Sequence, residues 1–387
     1  MNNLLKKQSL RIKKIFSGML VCLMLVSSMT SDVFASEHTL NQMIQTSAQA
    51  LKESFDCGNK NLLSDTKNIA AGSSASDWIA MVLAFSGEKD GYRAYLEDLT
   101  DYVAQCYEEQ GVLDEVKATE YHRIALTMLA LGGDPTRISG KGQQTIDLVA
   151  DGTWNFHTGN PGEQGTNGLI YALLLLDAEN YETDTNFRQQ LIADLLEKQT
   201  PEGGFYLNES LGADIDITAM ALQALAPYKA QDAAGKSIQR GSKWLSSQLS
   251  ENGTYVSYNA ESVESIAQVI LALCALGIDP AESEEFTRNG QSLLDSLQRF
   301  RLENGMYKHE IHDESANTVA TYQSLLALEA VQKLRTEGTW IFQFSDYEFD
   351  PSLDQSGHSM ILPAAAVGIL AAAAGLLLII KKQKKNG

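Results

Sequence analysis

The segment Gln199-Thr200-Pro201-Glu202-Gly203-Gly204-Phe205 decides the fold, because variants of it recur along the chain. Every copy contains a glycine, and in four of the copies an aromatic residue follows it closely. The copies are Glu109 to Leu113, Asp151 to Trp154, Glu202 to Phe205, Asn252 to Tyr255 and Asn304 to Tyr307. A motif that recurs at a period of about 50 residues is typical of folds that stack one supersecondary unit several times.

A polar residue opens an apolar run in each unit. These six opening residues, here called the openers, are Asp77, Glu120, Asn167, Asp216, Glu264 and Asn317. Consecutive openers lie 43 to 53 residues apart. Each interval holds two helices of ordinary length and two turns. Ile217–Ala226 and Ile266–Leu276 are apolar nearly all round, which predicts inner helices. Phe187–Gln199 and Phe286–Phe300 are amphipathic, which predicts outer helices.

The openers predict six inner helices, but only five outer helices fit between them. The N-terminal segment Leu40–Phe55 carries an apolar stripe and can supply the sixth. We expect it to pack beside the last inner helix and to close the array into a ring.

The Gln199–Phe205 segment and its weaker copies at Gln248–Tyr255 and Gln298–Tyr307 resemble the Gln-Trp repeat of the prenyltransferase and squalene-cyclase superfamily. The resemblance covers Asp77 to Leu334 as a repeat pattern. It implies the fold shared by squalene-hopene cyclases, protein prenyltransferase β-subunits and the helical domain of the intrinsic factor and transcobalamin proteins. The predicted fold class is therefore all-α, an (α/α)6 toroid of six helical hairpins in residues 36–338.

Both ends of the chain predict a membrane-anchored surface protein. Residues 1–35 have a basic region, a short apolar run and a small-residue site ending at Ala35, the pattern of a signal peptide. Residues 360–380 form an uncharged run long enough to span a bilayer, after a linker at 339–359. The basic tail 381–387 predicts a cytoplasmic C-terminus. We therefore expect a single-pass protein of the cell membrane with an extracellular N-terminal domain, and the lipid bilayer as a partner of the C-terminal helix.

The charge balance argues against a nucleic-acid partner. The chain has 49 acidic and 30 basic residues, a formal net charge of −19, and many of the basic residues lie in its two ends. Such a surface repels nucleic acid and anionic lipid, and it also favours solubility. Cys57, Cys106 and Cys274 remain after the signal, and the sequence leaves open whether Cys57 and Cys106 pair.

The segment Asp214-Ile215-Asp216-Ile217-Thr218-Ala219 resembles the Asp-x-Asp-Asp-Thr-Ala box of squalene-hopene cyclases. The resemblance implies that Asp216 is a proton donor assisted by Asp214. This chain has Ile217 where the box has a further Asp. Since a polar residue opens every inner helix, helix capping together with the N-terminal helix dipole is the alternative interpretation of Asp216. Asp214 is the only acid at its position among the six units.

Aromatic residues fall into two groups. One group recurs after the glycines and is predicted to join adjacent hairpins: Trp154, Phe205, Tyr255 and Tyr307. The other lies near the inner-helix starts and, with Asp214, is predicted to line a ligand-binding mouth: Trp78, Tyr121, Tyr171 and Tyr322.

No metal site or cofactor is predicted. Asp216 stands where a zinc site of the prenyltransferase kind would need a cysteine. The loop Lys308–Glu314 contains two histidines and three carboxylates, but its spacing matches no zinc signature, and a solvated charged loop is the simpler interpretation.

Three functions remain open. The first is a membrane-anchored extracellular protein that binds a bulky, partly apolar ligand such as a corrinoid or an isoprenoid. The second is an enzyme similar to class II terpene cyclases, with Asp214 and Asp216 as catalytic residues. The third is a structural or adhesive surface module, which a toroid filled at its centre by side chains would favour.

Overall fold

The structure, a computed structural model, describes residues 39–57, 61–140, 145–183, 186–257 and 260–356. Inner and outer helices alternate along this part of the chain. The inner helices are α2 (Ser74–Phe85), α4 (Ala118–Ala130), α6 (Thr166–Ala178), α8 (Ile215–Leu225), α10 (Val263–Leu276) and α12 (Thr318–Glu337). The outer helices are α1 (39–53), α3 (Tyr92–Gln110), α5 (Leu148–Gly152), α7 (Phe187–Leu196), α9 (Asp232–Gln248) and α11 (Leu293–Gln298).

Short elements connect the helices. Two antiparallel pairs of strands are formed by β1 (Ile138–Ser139) with β2 (Thr145–Ile146) and by β3 (Val256–Ser257) with β4 (Ala260–Glu261). Short 3-10 helices lie at Leu62–Ser64, Glu209–Leu211, Ala226–Tyr228, Glu284–Phe286 and Pro351–Leu353.

The inner helices form a closed ring. Each packs against the next in chain order, and α12 packs against α2. Their contact faces are rich in buried alanine, for example Ala219 and Ala224 of α8 and Ala267 and Ala272 of α10. Small side chains let neighbouring helices approach closely. The closed ring of contacts between inner helices confirms the predicted toroid.

The N-terminal helix α1 completes the outer layer between the last unit and the first. The Ser47 hydroxyl donates to the carbonyl of Gly305 at 2.8 Å, and the Gln45 amide donates to the carbonyl of Ser86 at 2.6 Å. Gly305 has φ +95°, and a Cβ there would lie 2.8 Å from the carbonyl oxygen of Thr46. The predicted closure by α1 is confirmed.

In three copies the repeat motif buries its aromatic residue, which is Phe205, Tyr255 or Tyr307. Phe205 and Tyr307 are fully buried, and their backbone N–H groups donate to the Thr218 and Thr321 hydroxyls at 2.8 and 2.9 Å. Each of these threonines lies in the first turn of the following inner helix. The motif therefore fixes the approach of each turn to the next inner helix, as predicted for Phe205.

One predicted outer helix is shorter than expected. The amphipathic pattern of Phe286–Phe300 forms a helix only from Leu293, because Asn289 and Gly290 adopt positive φ angles of 52° and 76°. A capping box between Ser292 and Asp295 then starts α11.

Residues 339–356, here called the strap, cross the end of the ring where the inner helices finish. The Phe344 N–H donates to the carbonyl of Ala178 at 2.7 Å, and the Tyr347 hydroxyl donates to the carbonyl of Ala130 at 2.9 Å. Phe342 and Phe344 are buried. The interpretation of 339–359 as a linker is thus wrong for this stretch, since its aromatic side chains belong to the core.

The predicted signal peptide, transmembrane helix and basic tail lie outside the described residues. Within the described ranges, no helix is both long enough and apolar enough to cross a membrane. Cys106 is a buried free thiol, so the structure does not show the disulfide that the sequence left open.

Candidate functional site

The inner helices begin at one end of the ring, here called the mouth, and α8 shows which of its two acids is structural. The Asp214 carboxylate accepts a hydrogen bond from the N–H of Ile217 at 2.9 Å and caps the helix. Asn317 caps α12 in the same way, through the N–H of Ala320 at 3.0 Å. Asp216 lies inside the first turn of α8 and makes no capping bond. The capping interpretation of Asp216 is therefore wrong, and the cap is Asp214.

Asp216 is an acid at the mouth that has no ion-pair partner among the described residues. Its Oδ1 atom is buried and has no hydrogen-bond partner among the described residues. Burial raises the pKa of Asp216 to about 6, and the nearby charges of Asp214 and Glu264 also raise it, while the Ser265 hydroxyl acts in the opposite direction. A carboxyl group with that pKa is held partly in its protonated form near neutral pH, which is a condition for a general acid.

A cavity of about 500 Å³, here called the mouth cavity, opens beside Asp216. Its lining includes both acids of α8, Met220 and Trp244, and none of the described lining residues is lysine or arginine. Leu211 and Val256 also line it and are 63% and 51% exposed, respectively. The result is a mainly apolar cavity with an apolar rim and two acidic groups at one side.

Trp244 is a lining residue that sequence reasoning missed, because it lies on an outer helix, α9. A Cβ on Gly204 would come within 2.7 Å of the indole ring, so the second glycine of the Gly203-Gly204 pair makes room for it. The glycine pair was visible in the sequence, but the sequence did not show that it accommodates the Trp244 side chain.

On the opposite side of the mouth, the openers of α2 and α4 are tied together by ion pairs. Asp77 is fully buried and accepts hydrogen bonds from Arg123 Nε at 2.9 Å and from the Tyr95 hydroxyl at 2.6 Å. Arg123 also pairs with Glu120 at 2.7 Å. Burial raises the pKa of Asp77, and the Arg123 charge opposes that rise. This cluster joins two inner helices, and its acids are paired, unlike Asp216.

Three of the predicted lining aromatics lie together near the ring axis. The ring centroids of Trp78 and Tyr171 are 6.4 Å apart, and Trp78 is 6.2 Å from Phe342 of the strap. Burial, with a smaller effect of Tyr322, raises the pKa of Tyr171 to about 12. The Tyr171 hydroxyl lies 3.7 Å from the Met220 sulfur. Trp78 thus packs against both Tyr171 and Phe342, and a cavity of about 150 Å³ lies beside Trp78 and Tyr171.

Tyr121 does not belong to this group. Its hydroxyl accepts from the N–H of Leu113 at 2.9 Å, and its ring packs edge-on against Phe156 at 5.9 Å. The side chain therefore points from α4 towards the outer turns. Its predicted place in the mouth is corrected, because neighbouring positions on a helix face different directions.

The histidine-containing loop contributes one residue to the mouth. His309 Nδ1 lies 2.8 Å from a carboxylate oxygen of Glu264, and the Ser262 hydroxyl donates to the same carboxylate at 2.8 Å. Among the described residues, no group of three or more His, Cys, Asp or Glu is placed to hold a metal ion. His309 thus acts as a hydrogen-bond partner of Glu264, the opener of α10, a role that spacing alone did not reveal.

No family model matches the chain, and no curated protein matches its sequence. Among solved structures, the chain is similar to a variant of the type II terpene cyclase MstE from Scytonema, in complex with its substrate geranylgeranyl dihydroxybenzoate. The identity is 12%, the match covers 77% of this chain and 98% of that chain, and the TM-score is 0.50. The protein geranylgeranyltransferase-I of Candida albicans, complexed with GGPP, matches at 10% identity over 79% of this chain and 99% of that one, with a TM-score of 0.48. The chain therefore has the α/α-toroid fold of a type II terpene cyclase.

Proposed function

We propose that the mouth cavity binds a bulky, neutral, largely apolar molecule of the isoprenoid class. The observation that carries this proposal is the cavity of about 500 Å³ beside a single unpaired acid. Its volume lies within the range of about 300 to 1,000 Å³ that is usual for small-molecule sites. The terpene cyclase of similar fold is described with a geranylgeranyl compound, which supports the same ligand class for this chain.

The charge of the lining residues and the size of the mouth cavity restrict the class of ligand that it can bind. Asp214 and Asp216 are the charged residues among the described lining, and a diphosphate group would be repelled by them. A corrinoid, a macrocycle with long side chains, is too large for a cavity of this size. The proposal is therefore a neutral isoprenoid and not a prenyl diphosphate or a corrinoid.

Binding is tested with the full-length chain by native mass spectrometry and thermal unfolding in the presence of geranylgeraniol. We expect a retained ligand and a raised unfolding temperature, because a ligand that binds only the folded state stabilises it. Trp244→Ala should remove most of the shift. Trp154→Ala is the matched control, since Trp154 is also a half-buried tryptophan but does not line the cavity. Equal shifts in the two variants would contradict the proposal.

A second candidate function is proton-initiated cyclisation of such a ligand. It is favoured by Asp216, because a carboxyl group with a pKa of about 6 is partly protonated near neutral pH and lines an apolar cavity, as a proton donor to an isoprenoid must. Asp216→Asn should then abolish product formation while the thermal shift with ligand is kept. Turnover of geranylgeraniol that is unchanged in this variant would eliminate the enzyme hypothesis and leave binding alone.

The alternative of a purely adhesive module is weaker on the same observations. That hypothesis requires a ring filled by side chains, and although Trp78 packs against Tyr171 and Phe342, the mouth cavity of about 500 Å³ remains open. We also propose the extracellular, single-pass location that the two ends of the sequence predict. Protease treatment of intact cells should cleave the domain from the cell surface, and full protection of the domain would contradict that location.

A further inference from the structure

A second large cavity lies at the end of the ring opposite the mouth. It has a volume of about 490 Å³ and is enclosed by α12, the last turn of α2 and the strap. We call it the strap cavity. The lining residues that matter below are Glu329, Lys333, Glu337, Phe85, Asp346 and Tyr347.

Glu329 is the unusual residue of this cavity. It is only 2% exposed, and neither of its carboxyl oxygens has a hydrogen-bond partner among the described residues. A buried carboxylate without a partner is strongly destabilising, so proteins normally pair or hydrogen-bond such a group. Apolar side chains of similar volume would pack at this position without that cost. The buried, unpaired carboxyl group of Glu329 therefore points to a ligand that pairs with it or to another role that depends on its charge.

The nearest candidate partner is engaged elsewhere. Lys333 lies one turn after Glu329 on α12, but its ammonium pairs with Glu337 at 2.8 Å and lies 5.8 Å from the centroid of the Tyr347 ring. It is the only basic residue among the described lining residues of the strap cavity. The strap cavity therefore already holds one ammonium group against an aromatic ring, and leaves its deepest acid unpaired.

The groups around Glu329 favour a positive charge. The strap supplies Asp346, Glu348 and Asp350, and α2 supplies the uncharged Ala84 and Phe85. Tyr92 of α3 and Tyr347 lie close enough to Glu329 for its charge to raise their pKa values, although burial is the larger cause for both. Lys52 of α1 is held by Asp90 at 3.0 Å.

We propose that the strap cavity binds the primary ammonium group of a small organic amine, with Glu329 as its carboxylate partner and Tyr347 as an aromatic wall. The N–H donors of a primary ammonium satisfy the carboxylate, and its charge is stabilised against the ring. Because both oxygens are buried, binding includes a shift of side chains in the strap wall. This inference is independent of the mouth cavity and its ligand.

Binding of the amine is coupled to release of a proton. Burial raises the pKa of Glu329 well above its usual value, which favours the protonated form of the carboxyl group in the empty site. The ammonium binds the ionised carboxylate, and the affinity should therefore increase with pH as long as the amine stays protonated.

The test is isothermal titration calorimetry of n-butylamine into the full-length chain near neutral pH, in two buffers of different ionisation enthalpy. We expect a net release of protons on binding, because the bound ammonium favours the ionised form of the carboxyl group. Glu329→Gln should remove the proton release and weaken binding by about tenfold or more, since the charged partner is lost. Glutamine has the shape of the protonated acid, so the variant should fold, and circular dichroism checks this.

Two further variants separate this site from weak general attraction to an acidic surface. Lys333→Gln removes the internal ammonium and should tighten binding, whereas Glu202→Gln removes an exposed acid far from the strap and should change nothing. Proton release that persists in Glu329→Gln would overturn the assignment of this residue. Tetramethylammonium, which has no N–H donor, binding as tightly as n-butylamine would overturn the assignment of a primary ammonium.

Discussion

Replacing Asp216 by asparagine should stabilise the folded chain above neutral pH. Burial raises the pKa of Asp216 from 3.8 to about 6. Since one pKa unit corresponds to about 1.4 kcal/mol, ionised Asp216 costs roughly 3 kcal/mol at high pH compared with the same group in the unfolded chain. The side chain is partly exposed, and solvent screening reduces this figure, so we expect about 1 to 3 kcal/mol.

The direction of the pKa shift determines how the stability difference between the variant and the parent changes with pH. The pKa is higher in the folded chain, so the contribution of Asp216 to stability is intact below about pH 4 and is lost as the pH rises through about 6. Asparagine does not titrate. The free energy of unfolding of the variant minus that of the parent should therefore grow from acid to neutral pH and then level off. The hydrogen bonds of the new amide add a constant offset that does not alter this trend.

The assay is urea unfolding followed by circular dichroism from about pH 4.5 to about pH 8, on both proteins in parallel, because other carboxyl groups cancel in the difference. Asp214→Asn is the matched control, since it changes the neighbouring acid on the same helix turn and keeps a capping side chain. A difference for Asp216→Asn that is flat, or that shrinks as the pH rises, would refute the account of Asp216 as a buried, unpaired acid.

Three further predictions concern the framework around the site. Asp214→Ala should lower the free energy of unfolding by about 1 kcal/mol through loss of the α8 cap, and Asp214→Asn by less than about 0.5 kcal/mol, as thermal unfolding can measure. Arg123→Met leaves Asp77 buried and unpaired and should cost about 3 to 5 kcal/mol in urea unfolding, part of which Asp77→Asn in the same chain should restore. Phe342→Ala leaves a cavity next to Trp78 and should cost about 3 to 5 kcal/mol, with faster limited proteolysis of the strap.

The ring was predictable because its signals are periodic. The spacing of the openers gave the number of units, and the apolar stripe of Leu40–Phe55 supplied the missing outer helix. Helix lengths were less predictable: Asn289 and Gly290 break the pattern of Phe286–Phe300, although the leucines beyond them keep the helical spacing. Periodicity reports which face is buried, whereas backbone turns decide where a helix begins.

The capping alternative named Asp216 and not Asp214, because the identity of a cap depends on where the helix begins. A start at Ile215 makes Asp214 the cap, and a start two residues later would have made Asp216 the cap. Sequence patterns place helix ends only to within a few residues. Tyr121 was predicted in the mouth for a similar reason. A shift of one position turns a helical side chain by about 100°, and the sequence did not fix which way Tyr121 faces.

The interpretation of the strap as part of a linker was wrong for a different reason. Its core side chains, among them Phe342 and Phe344, follow the last repeat and show no helical or strand period. A dense run of aromatics follows Gly338 in the sequence, and such a run is unusual for a solvated linker. Which surface it would cover was not visible, because the end of the ring exists only after six units have closed.

The openers locate the site by how their polar atoms are satisfied. Asp77 and Glu120 share Arg123, Glu264 is paired with His309, and Asn317 caps its helix. Asn167 and Asp216 open the adjacent helices α6 and α8, and each has a buried oxygen without a partner among the described residues. Each also lines one of the two cavities at the mouth, on either side of the contact between Tyr171 and Met220. A position that is polar in every unit is explained by the fold, so the two units in which a buried oxygen of the opener has no partner are the ones beside which we propose that the ligand binds.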